Sequence, residues 1–141
     1  MKVLLDTNVI VSAVTTRGLC ADVFRAVIGA HELVICPQVI EETDRILRTK
    51  FSVPDDLIRE YRELIRQDAV LVEPNDLPDI SIRDKDDAAI IGAAIAGRVD
   101  VLVTGDKELQ DMGSFRQVRI LSPRAFWEEL TAQHVDAPDK R

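Results

Sequence analysis

The chain has 141 residues, 46% of them hydrophobic and 30% charged, which is the composition of one globular domain with its own core. Its formal net charge of −7 at pH 7 argues against a generic nucleic-acid binder, because such proteins are usually basic. Carboxylates gathered at a metal site would weaken that exclusion, since the bound ion would neutralise part of the charge.

Short apolar runs alternate with segments of helical periodicity along the chain. The strands predicted in chain order are 2–5, 33–36, 69–72, the run VDVLVTGD at 99–106, and 119–121. The helices predicted are one from about Asn8, 21–28 closed by Gly29, one from Pro37, 54–67, 87–96 closed by Gly97, and one from Pro123. The stretch EPNDLPDISIRDKDD, residues 73–87, is the most loop-like part of the chain.

This alternation predicts a parallel sheet covered by helices on both faces, a three-layer α/β/α sandwich of the α/β class. We expect a single domain over residues 1–131 and a flexible tail over 132–141. The apolar stripe of the 54–67 helix could serve the core or a dimer interface, and we expect the core. Its members are Leu57, Ile58, Tyr61, Leu64 and Ile65.

Targeting and redox signals are absent from the sequence. Cys20 and Cys36 fit neither a zinc-site spacing nor a disulfide framework, which favours two small buried apolar residues. Asp6 interrupts the apolar start too early for a signal peptide. No apolar run approaches the ~18 residues that a membrane span needs. A cytoplasmic protein without membrane attachment is therefore expected.

Two acids directly follow predicted buried strands, Asp6 after the first and Asp106 in the Thr104-Gly105-Asp106 stretch. In open parallel sheets, ligands bind beyond the carboxyl ends of the strands, so both acids are candidates for a site. Each also has a structural explanation, because Asp6 could cap the next helix and Asp106 could sit in a turn.

A third acid is chosen by helical geometry. Glu42 lies three residues after Val39 and four before Ile46, so it borders the apolar face of its helix, whereas Glu41 points to the opposite side. A solvated position at the rim of that face is the alternative interpretation of Glu42.

A fourth acid is chosen by the same test in the segment RDKDDAAIIGAAIAG. Asp87 lies three residues before Ile90 and four before Ile91, on the buried face of the predicted helix. Asp84 is a natural N-cap for this helix, and either Asp84 or Asp86 could join the site or replace Asp87 in it.

Carboxylates brought together repel one another, and a divalent cation relieves that repulsion. Oxygen-only ligands suit Mg²⁺ or Mn²⁺, and such sites support phosphoryl chemistry. Asn8 could hold a water at the site, and Thr104 could orient Asp106. A phosphatase of the dehalogenase type would carry aspartate at position 8, and a dinucleotide-binding enzyme would need glycines in the first turn.

The blocks LLDTNVIVSA, PQVIEE, DDAAIIGAAIAG and VLVTGDKEL resemble, in this order, those of PIN-domain ribonucleases. The closest branch is that of the VapC-like PIN toxins of toxin–antitoxin pairs, and the resemblance runs from Lys2 to about Leu130. It implies a Rossmann-like PIN fold with a central parallel sheet and a Mg²⁺- or Mn²⁺-dependent endoribonuclease.

The resemblance also implies residue roles. It places the catalytic acids at Asp6, Glu42, Asp87 and Asp106. Of these, Asp6, Asp87 and Asp106 are expected to bind the metal, with Asn8, Asp84 and Thr104 as accessory residues. Hydrolysis would be an in-line attack of water on an RNA phosphodiester, leaving a 5′-phosphate and a 3′-hydroxyl.

Lys85 and Lys107 flank predicted site acids and are weak candidates for contacts with substrate phosphates, although ordinary surface positions explain them as well. The resemblance implies a homodimer and a cognate antitoxin whose basic side chain enters the acidic groove. The alternative function is a catalytically silent PIN-fold scaffold in an RNA-processing complex. The complete set of acids argues against it.

Overall fold

The computed structural model describes residues 1–73 and 85–136, apart from the side chains of residues 86 and 133–136. This part of the chain forms six strands and seven helices. The strands are β1 (Lys2–Leu5), β2 (Glu32–Ile35), β3 (Ala69–Leu71), β4 (Val101–Val103), β5 (Ser114–Phe115) and β6 (Val118–Leu121). The helices are α1 (Thr7–Thr15), α2 (Leu19–Ala30), α3 (Pro37–Thr49), α4 (Asp55–Asp68), α5 (Lys85–Ala96), α6 (Lys107–Met112) and α7 (Pro123–Asp136).

The strands form one sheet in the order β3-β2-β1-β4-β6-β5. All neighbouring pairs are parallel except β5–β6, which is antiparallel. The predicted α/β class and central parallel sheet are therefore confirmed. Two short elements, α6 and β5, were not predicted, because six and two residues are too few to show a hydrophobic period.

Helices cover both faces of this sheet. Contacts run in series from α7 to α2, α1, α3 and α4, so these five helices form one layer. The first three strands are added outward from β1 to β3, and the chain then returns to the other side of β1 to add β4. Because crossover connections are right-handed, this reversal places the connecting helix α5 on the opposite face of the sheet. Ile91 and Ala94 of α5 are completely buried there. The result is the three-layer arrangement that the sequence predicts.

The core lies along the central strands, which are buried on both faces. Val3, Leu4 and Leu5 of β1 have no exposed surface, and neither have the three residues of β4. Because Val3–Leu5 and the whole of β4 are apolar, the first polar side chains at the carboxyl ends of these two strands are those of Asp6 and Thr104. None of the helices in the described ranges has the length and apolar character needed to cross a membrane.

Several boundaries differ from those predicted. Gly29 lies inside α2 instead of ending it, since the helix continues to Ala30. Helix α5 begins at Lys85, so the end of the predicted 73–87 loop is helical. Helix α7 runs to Asp136, into the segment predicted as a tail. Residues 74–84, with Asp84 among them, and residues 137–141 lie outside the described part of the chain.

The apolar stripe of α4 packs only partly in the core. Ile58, Tyr61 and Ile65 are buried, but Leu57 and Leu64 are 47% and 43% exposed, which contradicts the prediction for these two residues. The physical reason is the position of α4 at the end of the sheet, where it contacts β3, β2 and α3. A helix at the edge of a layer has neighbours on fewer sides than a central helix.

A buried polar contact joins α3 to α4. The Tyr61 hydroxyl donates a 2.5 Å hydrogen bond to Asp44, which is 8% exposed, and the second Asp44 oxygen lies 3.3 Å from the Arg62 guanidinium. Burial, together with the hydrogen bond to the Asp44 carboxylate, raises the pKa of Tyr61. Helix α4 is thereby tied to the helix that carries Glu42.

Replacing Tyr61 with phenylalanine should lower the free energy of unfolding by about 2 kcal/mol at pH 7, because a buried carboxylate loses a hydrogen-bond donor. The unfolded chain releases the Tyr61 proton near pH 10, below the pH at which the folded chain releases it. The stabilisation is therefore present at lower pH and is lost as the pH rises above about 10. Urea unfolding of both proteins at pH 7 and above pH 10 checks this. A difference between the two proteins that grows with pH would contradict it.

Candidate functional site

A polar cavity of about 170 Å³ lies at the carboxyl ends of β1, β2 and β4. The residues that follow these strands meet there with the first turns of α1 and α3 and with α5. Its lining comprises Asp6, Thr7, Asn8, Cys36, Gln38, Val39, Glu42, Ile46, Asp87, Ile90 and Asp106. The four predicted catalytic acids, which are up to 100 residues apart in the sequence, are therefore brought to one cavity.

Asp6 is held rigidly where β1 ends. Its backbone N–H donates to the carbonyl of Val103 at the end of β4. One carboxylate oxygen accepts from the Thr7 N–H at 2.7 Å, and the other accepts from the Thr104 hydroxyl at 2.7 Å. The alternative explanation of Asp6 as a helix cap is thus also correct, and capping does not remove the residue from the cavity.

The completely buried Thr104 connects the two acids that follow the strands. Its hydroxyl donates to Asp6 and accepts from the backbone N–H of Asp106 at 3.0 Å. Asp106 in turn caps α6, with one oxygen accepting from the N–H groups of Glu108 and Leu109. A single hydroxyl group therefore sets the distance between Asp6 and the loop that carries Asp106.

Glu42 reaches the cavity from α3, as its helical position predicts, with 30% of its side chain exposed. The Thr7 hydroxyl donates to it at 3.2 Å, which links α3 to the start of α1. Its neighbour Glu41 is exposed and does not line the cavity. Thr7 was not singled out from the sequence, because a threonine between Asp6 and Asn8 is equally typical of a helix start.

Asp87 enters the cavity from the first turns of α5 and is 8% exposed. The adjacent Ile90 and Ile91 are 4% and 0% exposed, in agreement with the helical face on which Asp87 was predicted. Asn8 lines the cavity although the residue as a whole is exposed. The roles considered for Asp84 and for the side chain of Asp86 fall outside what the structure describes.

Three carboxylates lie close enough together to hold a metal ion. One oxygen each of Asp87, Asp106 and Glu108 lies within 4.8 Å of the other two. Glu108 was not predicted, and the available signal was its position two residues after Asp106 in the first turn of α6. Asp6, predicted as a metal ligand, lines the same cavity without belonging to this close group, since its carboxylate faces Thr7 and Thr104.

The buried Cys36 also lines the cavity. Burial raises the pKa of the Cys36 thiol, and the negative charges of Asp6 and Glu42 add to the rise. The thiol therefore stays protonated at neutral pH and behaves as the small apolar residue that the sequence predicts.

The two lysines considered for substrate contact stand outside the cavity. Lys107 begins α6, has an 83% exposed side chain and lies 3.9 Å from Asp111. Lys85 begins α5 and is exposed. Neither side chain is in the lining of the cavity. Their positions are those of ordinary surface cations next to site acids.

The sequence predicts RNA cleavage at a metal-binding site, and replacing Thr104 with valine should lower that predicted activity by about 10- to 100-fold, the usual effect of removing a group that orients metal ligands. Valine keeps the shape of threonine, but Asp6 loses a donor and the Asp106 N–H loses its acceptor. Steady-state rates of RNA cleavage by the folded wild-type and variant proteins test this prediction. Equal rates would show that the Thr104 hydroxyl has only a structural role.

Comparisons with known proteins agree with this geometry. A family model described as PIN domain matches residues 2–108, about three quarters of the chain. The solved structure of VapBC2 from Rickettsia felis, bound to a DNA fragment from their promoter, is similar with a TM-score of 0.59 at 14% sequence identity. The alignment covers 86% of this chain and 98% of that one. No curated protein matched the sequence. On the family match and the shared fold, this chain belongs to the PIN-domain family.

Proposed function

We propose that this protein is a divalent-metal-dependent endoribonuclease and the toxin of a toxin–antitoxin pair. The observation that carries the proposal is the convergence of Asp6, Glu42, Asp87 and Asp106 on one polar cavity at the carboxyl end of a parallel sheet. Membership of the PIN-domain family supports a nuclease of this type.

The residues present fit Mg²⁺ or Mn²⁺. The close group of Asp87, Asp106 and Glu108 offers only carboxylate oxygens, the donors that these hard cations prefer. Cys36, a soft ligand, is held as a neutral thiol. Asp87, Asp106 and Glu108 would hold the ion, with Asp6 beside them. When bound, it would neutralise charge on the phosphate and act as a Lewis acid.

The side chains around the cavity would carry out the proton transfer and keep the reacting groups in position. Glu42, steadied by the Thr7 hydroxyl, faces the cavity from α3 and can accept a proton from the attacking water. Attack of water on phosphorus breaks the bond between phosphorus and the 3′-oxygen. The departing 3′-oxygen takes a proton from solvent water, so the products carry a 5′-phosphate and a 3′-hydroxyl. Thr104 keeps Asp6 and Asp106 in position throughout, and Asn8 borders the mouth of the cavity.

The proposed partners are a cognate antitoxin and a second copy of the chain. The similar VapBC2 structure was determined bound to a promoter DNA fragment, which fits a toxin–antitoxin setting. A protein of net charge −7 with an acidic cavity also suits an inhibitor that places a basic side chain there. Co-purification with the product of an adjacent gene, and the molar mass of the purified protein in solution, test these two partners.

Cleavage of matched substrates tests the proposed reaction. The purified chain, freed of any bound inhibitor, is incubated with end-labelled single-stranded RNA and DNA of the same sequence in Mg²⁺ or Mn²⁺. We expect internal cuts in the RNA whose new ends carry a 5′-phosphate and a 3′-hydroxyl. Folded protein that leaves RNA intact with both metals would favour the catalytically silent scaffold instead.

A further inference from the structure

An open hollow adjoins the acidic cavity along α3. Its volume is about 460 Å³, and it is lined by Gln38, Glu41, Glu42 and Arg45. Gln38 and Glu42 also line the cavity, so the two depressions share one wall. A chain leaving the cavity on this side would pass directly over the hollow.

Arg45 lines the hollow but not the acidic cavity, and it is close to Glu42, which lines both. It follows Glu42 by three residues, about 4.5 Å along the helix axis, and its guanidinium lies 4.0 Å from the Glu42 carboxylate. That separation is longer than a hydrogen bond, so the pairing does not occupy the N–H donors of the guanidinium. The Arg45 side chain is 64% exposed and therefore accessible from solvent.

A nucleic-acid strand needs such a cation at this place. The cavity brings together at least four carboxylates, and a bound metal compensates charge only around the phosphate that it contacts. The phosphates on either side of the scissile one remain negative and are repelled by the same acids. A planar guanidinium in the adjoining hollow can bind one of these neighbouring phosphates through two parallel hydrogen bonds.

Resting on the proposed nuclease function, we infer that Arg45 and the hollow beside it bind the RNA nucleotide adjoining the scissile phosphate, with Arg45 contacting its backbone phosphate. Gln38, which lines both depressions, lies on the path of the same nucleotide. The path of the RNA strand would then lead out of the cavity and along α3. Arg45 is thus a substrate-binding residue, distinct from the acids that hold the metal.

Arg48 supplies a matched control on the same helix. It lies three residues beyond Arg45, and its side chain is 50% exposed. Its Nε is hydrogen-bonded to Asp55 at 3.2 Å, which directs it toward the start of α4. The substitutions Arg45→Gln and Arg48→Gln remove the same charge from one helix, so a general electrostatic effect would appear in both.

The test measures binding of a fluorescently labelled single-stranded RNA by anisotropy, using Asp6→Asn protein to prevent cleavage. Adding Arg45→Gln should weaken binding roughly 5- to 10-fold and reduce the slope of log affinity against log salt concentration by about 0.7, the value for one phosphate contact with a single strand. Arg45→Lys, which keeps the charge, should retain the slope, and Arg48→Gln should match the parent protein.

Unchanged affinity and slope in Arg45→Gln, or equal losses in Arg45→Gln and Arg48→Gln, would overturn the inference while leaving the nuclease proposal intact. Slower cleavage by the single variant Arg45→Gln with unchanged RNA affinity would also overturn it, because Arg45 would then act only through Glu42. A wild-type protein that does not cleave RNA, together with an Asp6→Asn protein that does not bind it, would instead refute the proposed function itself.

Discussion

Replacing Asp6 with asparagine should lower RNA cleavage at least about 100-fold while leaving the protein folded. The amide has the shape of the carboxylate, and its oxygen can still accept from the Thr7 N–H at the start of α1. It lacks the negative charge with which, in the proposed function, Asp6 helps to attract the divalent cation. Cleavage rates and the far-ultraviolet circular dichroism spectrum of both proteins are the measurements.

Asp22→Asn is the control for this variant. Asp22 is a half-exposed acid on α2 that is paired with Arg25 and does not line the cavity. The Asp22→Asn protein should cleave RNA at the wild-type rate. Wild-type activity in Asp6→Asn, measured with protein free of contaminating nuclease, would remove Asp6 from the proposed chemistry.

Replacing Asp87 with asparagine should stabilise the metal-free protein and abolish its stabilisation by metal. Asp87 is 8% exposed and has an oxygen within 4.8 Å of oxygens from Asp106 and Glu108, so removing its charge relieves repulsion. We expect a gain on the order of 1 kcal/mol, limited by solvent screening around the exposed Glu108. In the wild type, Mn²⁺ at 100 times its dissociation constant should add about 2.7 kcal/mol.

Urea unfolding of wild type, Asp87→Asn and Asp22→Asn, each with chelator and with Mn²⁺, separates these effects. Asp22→Asn should respond to Mn²⁺ as the wild type does. An Asp87→Asn protein that keeps the full stabilisation by Mn²⁺ would show that Asp87 is not part of the metal site. A loss of metal-free stability in this variant would show that repulsion is not the dominant contribution at this position.

The positions of the predicted acids could be derived from sequence because they depend on simple geometry. Asp6 and Asp106 follow buried parallel strands, whose carboxyl ends necessarily meet at one edge of a sheet. Glu42 and Asp87 share helix faces with buried apolar residues, and the regular period of a helix carries that information. The structure brings these four residues to one cavity.

Other features depend on contacts that a sequence does not display. Glu108 lies in a helix of six residues, too short for a periodic pattern, and only the position of α6 beside α5 brings it near Asp87. Leu57 and Leu64 belong to a regular apolar stripe, but periodicity does not indicate which part of a stripe meets the core. The hydrogen bond from the Thr104 hydroxyl to Asp6 joins residues that are 98 positions apart in the sequence.

The most direct test of the proposed metal-dependent nuclease is restoration of cleavage by metal. Wild-type protein is dialysed against chelator and assayed on single-stranded RNA without metal, then with Ca²⁺, Mg²⁺ or Mn²⁺ added back, while its folding is monitored in each condition. We expect no cleavage without metal and recovery of cleavage with Mg²⁺ or Mn²⁺. Cleavage that persists at the full rate in the metal-free protein would contradict the proposed metal-dependent mechanism.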